Sequence, residues 1–223
     1  MSTLAQIRDR VEQVLADTGN TVWDTDWVDE GIRQALAEYN LVLPYKAVDS
    51  ESLSGILSNN NREIDLSSWA YISDCYDIYQ IWLPYVDTDT EPTVRSFEFW
   101  REEQKVWIKG GDTPAETETA RIFFTKGHTI DDLDSASATT IHDEHETLLV
   151  NGAAGHTAAS RALDLSELVT VDRLTAQQVR AWGLSKLQEF RAGLRNVGRA
   201  AASRGVAWVE LPALDRWDKG QGE

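Results

Sequence analysis

Apolar residues recur at three- and four-residue steps over the first forty positions and again beyond residue 140, with a different texture between. Leu4, Ile7, Val11 and Val14 define one face of a helix. Thr3 and Gln6 are spaced as a capping box at its start, and Gly19-Asn20 close it. A second helix is predicted to follow, with Asp24, Thr25 and Asp26 as cap candidates. Val28, Ile32, Ala35, Leu36 and Tyr39 form its buried stripe, and Pro44 forbids its continuation. Together these make an antiparallel helix hairpin.

From about Val48 to Ser137, clusters of Gly, Asn, Asp, Ser, Thr and Pro punctuate short β-branched and aromatic runs. Strands are predicted at Arg62–Leu66, Tyr76–Pro84, Arg95–Arg101, Lys105–Lys109 and Arg121–Thr125. Glu102–Gln104 is a tight connection between two of them, and the alternation implies a small antiparallel sheet with one wet face. Helix returns at Thr140, and Gly152, Ala153, Ala154, Gly155, Ala158 and Ala159 let a neighbouring helix approach closely. A last, long helix is predicted from a capping box at Thr175 and Gln178 to about Arg204. Val179, Trp182, Leu187, Phe190, Leu194 and Val197 mark its buried face. Val206 to Trp217 is too apolar for a solvated terminus and too short to fold alone, so it is expected to order on a partner.

The expected class is therefore α+β. Residues 1–47 and 138–205 form a helical core with two N-terminal and two C-terminal helices, the last one long. Residues 48–137 are a β-rich insertion, and 206–223 an extended C-terminal tail.

Composition alters this picture in three ways. Hydrophobic residues at 42% and charged residues at 26% describe an ordinary folded protein, and nine tryptophans add a lean towards binding. No apolar run approaches the ~20 residues of a membrane span, no signal pattern opens the chain, and the single Cys75 lies in an apolar stretch. A buried, reduced thiol and a cytoplasmic setting are expected. The net charge of −16 opposes general nucleic-acid affinity. Arg173 to Arg204 nevertheless holds seven basic residues against Glu189 alone, leaving 14 basic and 36 acidic residues for the rest of the chain. Arg191, Arg195 and Arg199 recur at four-residue spacing, a ridge suited to an acidic partner surface.

Candidate chemistry is sparse. His142, His145 and Glu146 share a helix face on which a metal could sit, but acids at a helix start follow from capping and dipole preferences alone. Acid clusters at Asp24/Asp26/Asp29/Glu30, Asp87/Asp89/Glu91 and Asp131/Asp132/Asp134 lack a calcium-loop frame. There is no P-loop, dinucleotide fingerprint or nucleophile elbow. No catalytic residue, metal or cofactor is expected. The alternatives are a metal-dependent hydrolase or nuclease using these carboxylates with His142 and His145, or a ligand-binding structural module. A carbohydrate- or protein-binding module would use Trp100 or Trp107.

The order of parts resembles the head–tail connector (adaptor) proteins of tailed bacteriophages. The resemblance rests on Leu4–Leu15, Trp23-Asp-Thr-Asp-Trp27, Gly31–Tyr39, and the acids, apolar run and Gly-Ala-Ala step of His142–Ala158. It covers the helical parts, about half the chain, and leaves residues 48–137 unmatched. It implies a non-enzymatic subunit that joins neighbouring copies in a ring, usually of twelve, on the portal protein of the virion. The chain would be made in the host cytoplasm, and the ring would extend the DNA channel, passing DNA without sequence-specific binding. A downstream neck or tail protein would dock on the ring, and no membrane is involved. Trp208, Val209, Leu211, Leu214 and Trp217 would be the portal-docking residues of the tail, with Arg191, Arg195 and Arg199 facing a partner.

Overall fold

The computed structural model describes residues 2–17, 22–58, 60–88, 93–167 and 173–205. Among these described residues four α-helices, α1 (Leu4–Val14), α2 (Thr25–Val42), α3 (Asp143–Glu167) and α4 (Arg173–Gly205), accompany seven strands in two small antiparallel sheets. The class is α+β. The chain divides into two compact units, Met1–Ile7 with Leu36–Asp143, and Arg8–Ala35 with Glu144–Glu223.

The first unit holds both sheets. One has the order β1-β7-β4, from β1 (Tyr45–Ser52), β7 (Thr119–Lys126) and β4 (Cys75–Trp82). The other has the order β2-β3-β6-β5, from β2 (Leu57–Ser58), β3 (Glu63–Asp65), β6 (Lys105–Lys109) and β5 (Ser96–Trp100). Inward-facing Ile78, Ile81, Ile122 and Phe124 of the first sheet and Ile64, Val106 and Ile108 of the second share one core with Leu53, Leu66, Trp69 and Leu83. Phe97 stands opposite Ile108 and Phe99 opposite Val106, so all four lie on the core side and the intervening residues face outward. Gln104, at φ 57°, turns the β5–β6 hairpin where Glu102–Gln104 reads as a tight connection.

The sequence pattern missed β1 and β2. Asp49 and Glu51 sit on inward positions of β1, where acids break an apolar alternation; Asp49 is held there by the Trp69 indole N–H at 2.8 Å.

The second unit is helical. Asp24 caps α2, accepting from the backbone N–H of Asp26 at 3.2 Å. The Arg8 guanidinium grips Asp29 through two contacts of 2.5 Å, and its pKa is raised chiefly by that hydrogen bond. The close approach expected of α3 is present. A Cβ on Gly155 would lie 3.0 Å from the Leu187 backbone nitrogen, and one on Gly183 would lie 3.0 Å from the Gly155 carbonyl.

Three expectations need correction. The third helix starts at Asp143, not Thr140, because the Thr140 N–H donates to the Thr129 carbonyl in an extended segment. Thr175 lies inside α4, which begins at Arg173, so Thr175 and Gln178 do not cap it. Trp182 is 37% exposed, because the buried face runs through Ala176, Gly183, Leu187, Phe190 and Leu194.

Candidate partner interface

The expected basic ridge lies in the second unit. Arg191, Arg195 and Arg199 are all exposed on α4, beside the buried Phe190 and Leu194. Their four-residue spacing keeps them on one side of the helix. At 33 residues, α4 is about 50 Å long for a rise of ~1.5 Å per residue. The tail residues Trp208, Val209, Leu211, Leu214 and Trp217 lie outside the described residues.

Sequence reading missed a groove of about 340 Å³ in the same unit. Val14, Leu15, Ala16 and Trp23 line one side, and Gln178, Val179 and Trp182 the other. Trp23 is held by its backbone N–H, which donates to the Asp17 carboxylate at 2.8 Å, as does that of Val22. Leu174 and Leu184 are also exposed on α4. The signal available in the sequence was the period: Gly183 belongs to the buried seam, which rotates Trp182 outward.

Several of the candidate ligating groups have protein partners. Glu146 is buried and takes the Arg10 guanidinium at 2.5 Å. His145 lies 3.6 Å from Glu144, and His142 is exposed just ahead of α3. Asp87 accepts from the Tyr85 hydroxyl at 2.6 Å, while Asp89 and Glu91 lie outside the described residues. In the third acid cluster, the Asp131 N–H donates to Thr139 Oγ1 at 2.9 Å and its carbonyl accepts from the Leu4 N–H. Among the described residues no three His, Cys, Asp or Glu side chains gather as a metal site requires. His128, between the rings of Tyr39 and Tyr45, places Nδ1 3.0 Å from the Thr140 carbonyl oxygen and 3.1 Å from Thr140 Oγ1. Cys75 is buried in the β core, and burial pushes its thiol up to about 11.

The first unit adds two aromatic surfaces. On the outer side of the β1-β7-β4 sheet, the Arg121 guanidinium lies 4.7 Å from the Tyr85 ring centre and 5.7 Å from that of Trp82. On the outer side of the other sheet, Trp100 and Trp107 stack with centroids 6.2 Å apart. Among the described residues no helix is long and apolar enough to cross a membrane. No protein-family model matches this chain, and no curated protein matches it.

Proposed function

We propose that this chain is a structural neck protein of a tailed phage, assembling as a ring on the portal vertex and linking head to tail. In this reading the helices form the adaptor core, residues 48–137 are an insertion available to a tail or neck protein, and the tail anchors on the portal. The observation that carries it is α4, a helix about 50 Å long with an exposed arginine ridge, leading into the apolar segment Val206–Trp217 within a chain of net charge −16. A basic ridge on an otherwise acidic subunit can meet acidic surfaces of neighbouring copies or of the portal. The apolar groove beside Trp23 and Trp182 is surface of the kind that subunit contacts bury. The acidic remainder lets DNA pass without adhering. The chain has no catalytic part in this reading.

Mixing the purified chain with the portal ring of its source phage, and counting bound copies by native mass, tests the proposal. Rings of the full-length chain on the portal, with no binding by a chain ending at Gly205, support both the ring and the anchoring tail. Failure of both chains to bind overturns the reading.

A further inference from the structure

The groove of about 340 Å³ in the helical unit has walls but no side chain of its own unit filling it. Half-buried Val14 and Leu15 stand with Trp23 on one side, and Val179 with the exposed Trp182 on the other. The Trp23 wall is set by its backbone N–H, which donates to the buried Asp17 carboxylate, so the cleft exists before anything enters it. Along α4, Leu174, Gln178 and Trp182 follow at four-residue steps, which carries the apolar line on to the exposed Leu174. Apart from Gln178 the residues described along the groove are apolar, so it suits a narrow apolar segment.

The chain carries such a segment beyond α4. Trp208-Val-Glu-Leu211 lies between Gly205 and Pro212, outside the described residues. Lengths decide whose groove it can fill. Gly205 is 23 residues beyond Trp182, about 35 Å along α4 at ~1.5 Å per residue. Leu211 is six residues further on, and fully extended chain covers at most about 22 Å over that stretch. Residues 208–211 therefore cannot return to the groove of their own copy, but nothing in this arithmetic keeps them from another.

We propose that Trp208, Val209 and Leu211 of one copy dock in the Trp23–Trp182 groove of a second copy. Groove and segment lie at opposite ends of α4 and cannot satisfy each other within one chain, so the contact is head-to-tail. Such contacts close into rings when the rotation between copies permits. The closure rests on the ring reading above, and Leu214 and Trp217, beyond Pro212, stay with the portal.

A fluorescein-labelled peptide of residues 206–217 tests the contact by fluorescence anisotropy. The receiver is the full chain carrying Trp208→Ala and Leu211→Ala, whose grooves its own kind cannot fill. The peptide is expected to bind with a dissociation constant on the order of 10–100 µM. Binding should be nearly the same at 0.1 and 1 M salt, as suits an apolar contact and not the arginine ridge. Val179→Glu in the receiver should weaken it about tenfold or more with the melting temperature kept; if that variant does not fold, Trp182→Ala takes its place. A peptide with Trp208→Ala and Leu211→Ala should not bind, while one with Leu214→Ala and Trp217→Ala should. The proposal is overturned if no peptide binds at about 0.5 mM receiver, if the groove variants bind it as well as the parent, or if binding survives the loss of Trp208 and Leu211. Loss of portal binding in Val179→Glu, with no peptide bound by the parent, would give the groove to the portal and overturn it too. The neck reading fails separately: a receiver that takes the peptide, beside a wild-type chain that leaves the portal empty, keeps this contact and removes the portal.

Discussion

Cys75 is 1% exposed among the apolar side chains of the β core, and burial, with the charge of Asp77 adding to it, moves its thiol from 9.0 to about 11. Below pH 9 the folded and unfolded chains both keep the proton. Between pH 9 and 11 the unfolded chain releases it while the folded chain does not, so stability falls as pH rises through that window, by up to ~3 kcal/mol. Urea midpoints measured from pH 8 to 11 should therefore drop more steeply in the wild type than in Cys75→Ala. Parallel curves would contradict the burial described. That this thiol is buried could be read from the aromatic and aliphatic residues of its stretch, Tyr71, Ile72, Tyr76 and Ile78, despite the flanking Asp74 and Asp77; that Glu146 is buried could not, because its partner Arg10 is 136 residues away. Arg10→Ala removes the guanidinium from a buried carboxylate and is expected to cost about 1–2 kcal/mol of unfolding free energy. Lys186→Ala, which breaks the exposed pair with Glu189, should change it by less than about 0.5 kcal/mol in the same denaturation series.

At the scale of elements, close helix contact rather than helix propensity governs the glycines of α3 and α4. Alanine is favoured over glycine in a helix by about 1 kcal/mol, yet a Cβ at Gly183 would meet the Gly155 carbonyl and the Ala159 nitrogen, both at 3.0 Å. Backbone atoms cannot step aside without moving a helix, so Gly183→Ala is expected to destabilise by about 1–3 kcal/mol. At Gly193 the nearest obstacle is the tip of the Leu148 side chain, which can rotate, and Gly193→Ala should be neutral or slightly stabilising. Chemical denaturation of the two variants side by side decides whether the helices touch as described. The small-residue run of α3 was legible in the sequence, as was the capping box of α1, where Thr3 and Gln6 exchange hydrogen bonds of 3.0 and 3.5 Å. The same spacing at Thr175 and Gln178 misled because a capping box is local chemistry, whereas the start of α4 lies two residues earlier, at Arg173. β1 escaped notice because its inward positions hold acids whose partners, such as Trp69, come from elsewhere in the fold.

For the whole molecule the decisive quantity is the distribution of charge. A chain of net charge −16 repels duplex DNA on balance, and its densest run of basic residues is in α4, where Arg191, Arg195 and Arg199 stand exposed. Three phosphate contacts would give a salt dependence of only about −2.7 in log K against log salt, and the affinity they supply is largely gone near ~0.15 M salt. No retention of duplex DNA is therefore expected at that ionic strength, in an electrophoretic mobility assay, from either the wild type or the chain carrying Arg191→Glu, Arg195→Glu and Arg199→Glu. The two proteins should part company on a protein partner. If the ridge meets acidic surfaces of the portal or of neighbouring copies, the triple variant loses ring assembly while keeping the wild-type melting curve, since exposed arginines contribute little to stability. Retention of DNA by the wild type and its loss in the triple variant would instead give the ridge to nucleic acid. The ring reading would then lose its main support, because the surface that distinguishes α4 from the rest of this acidic chain would already have another ligand.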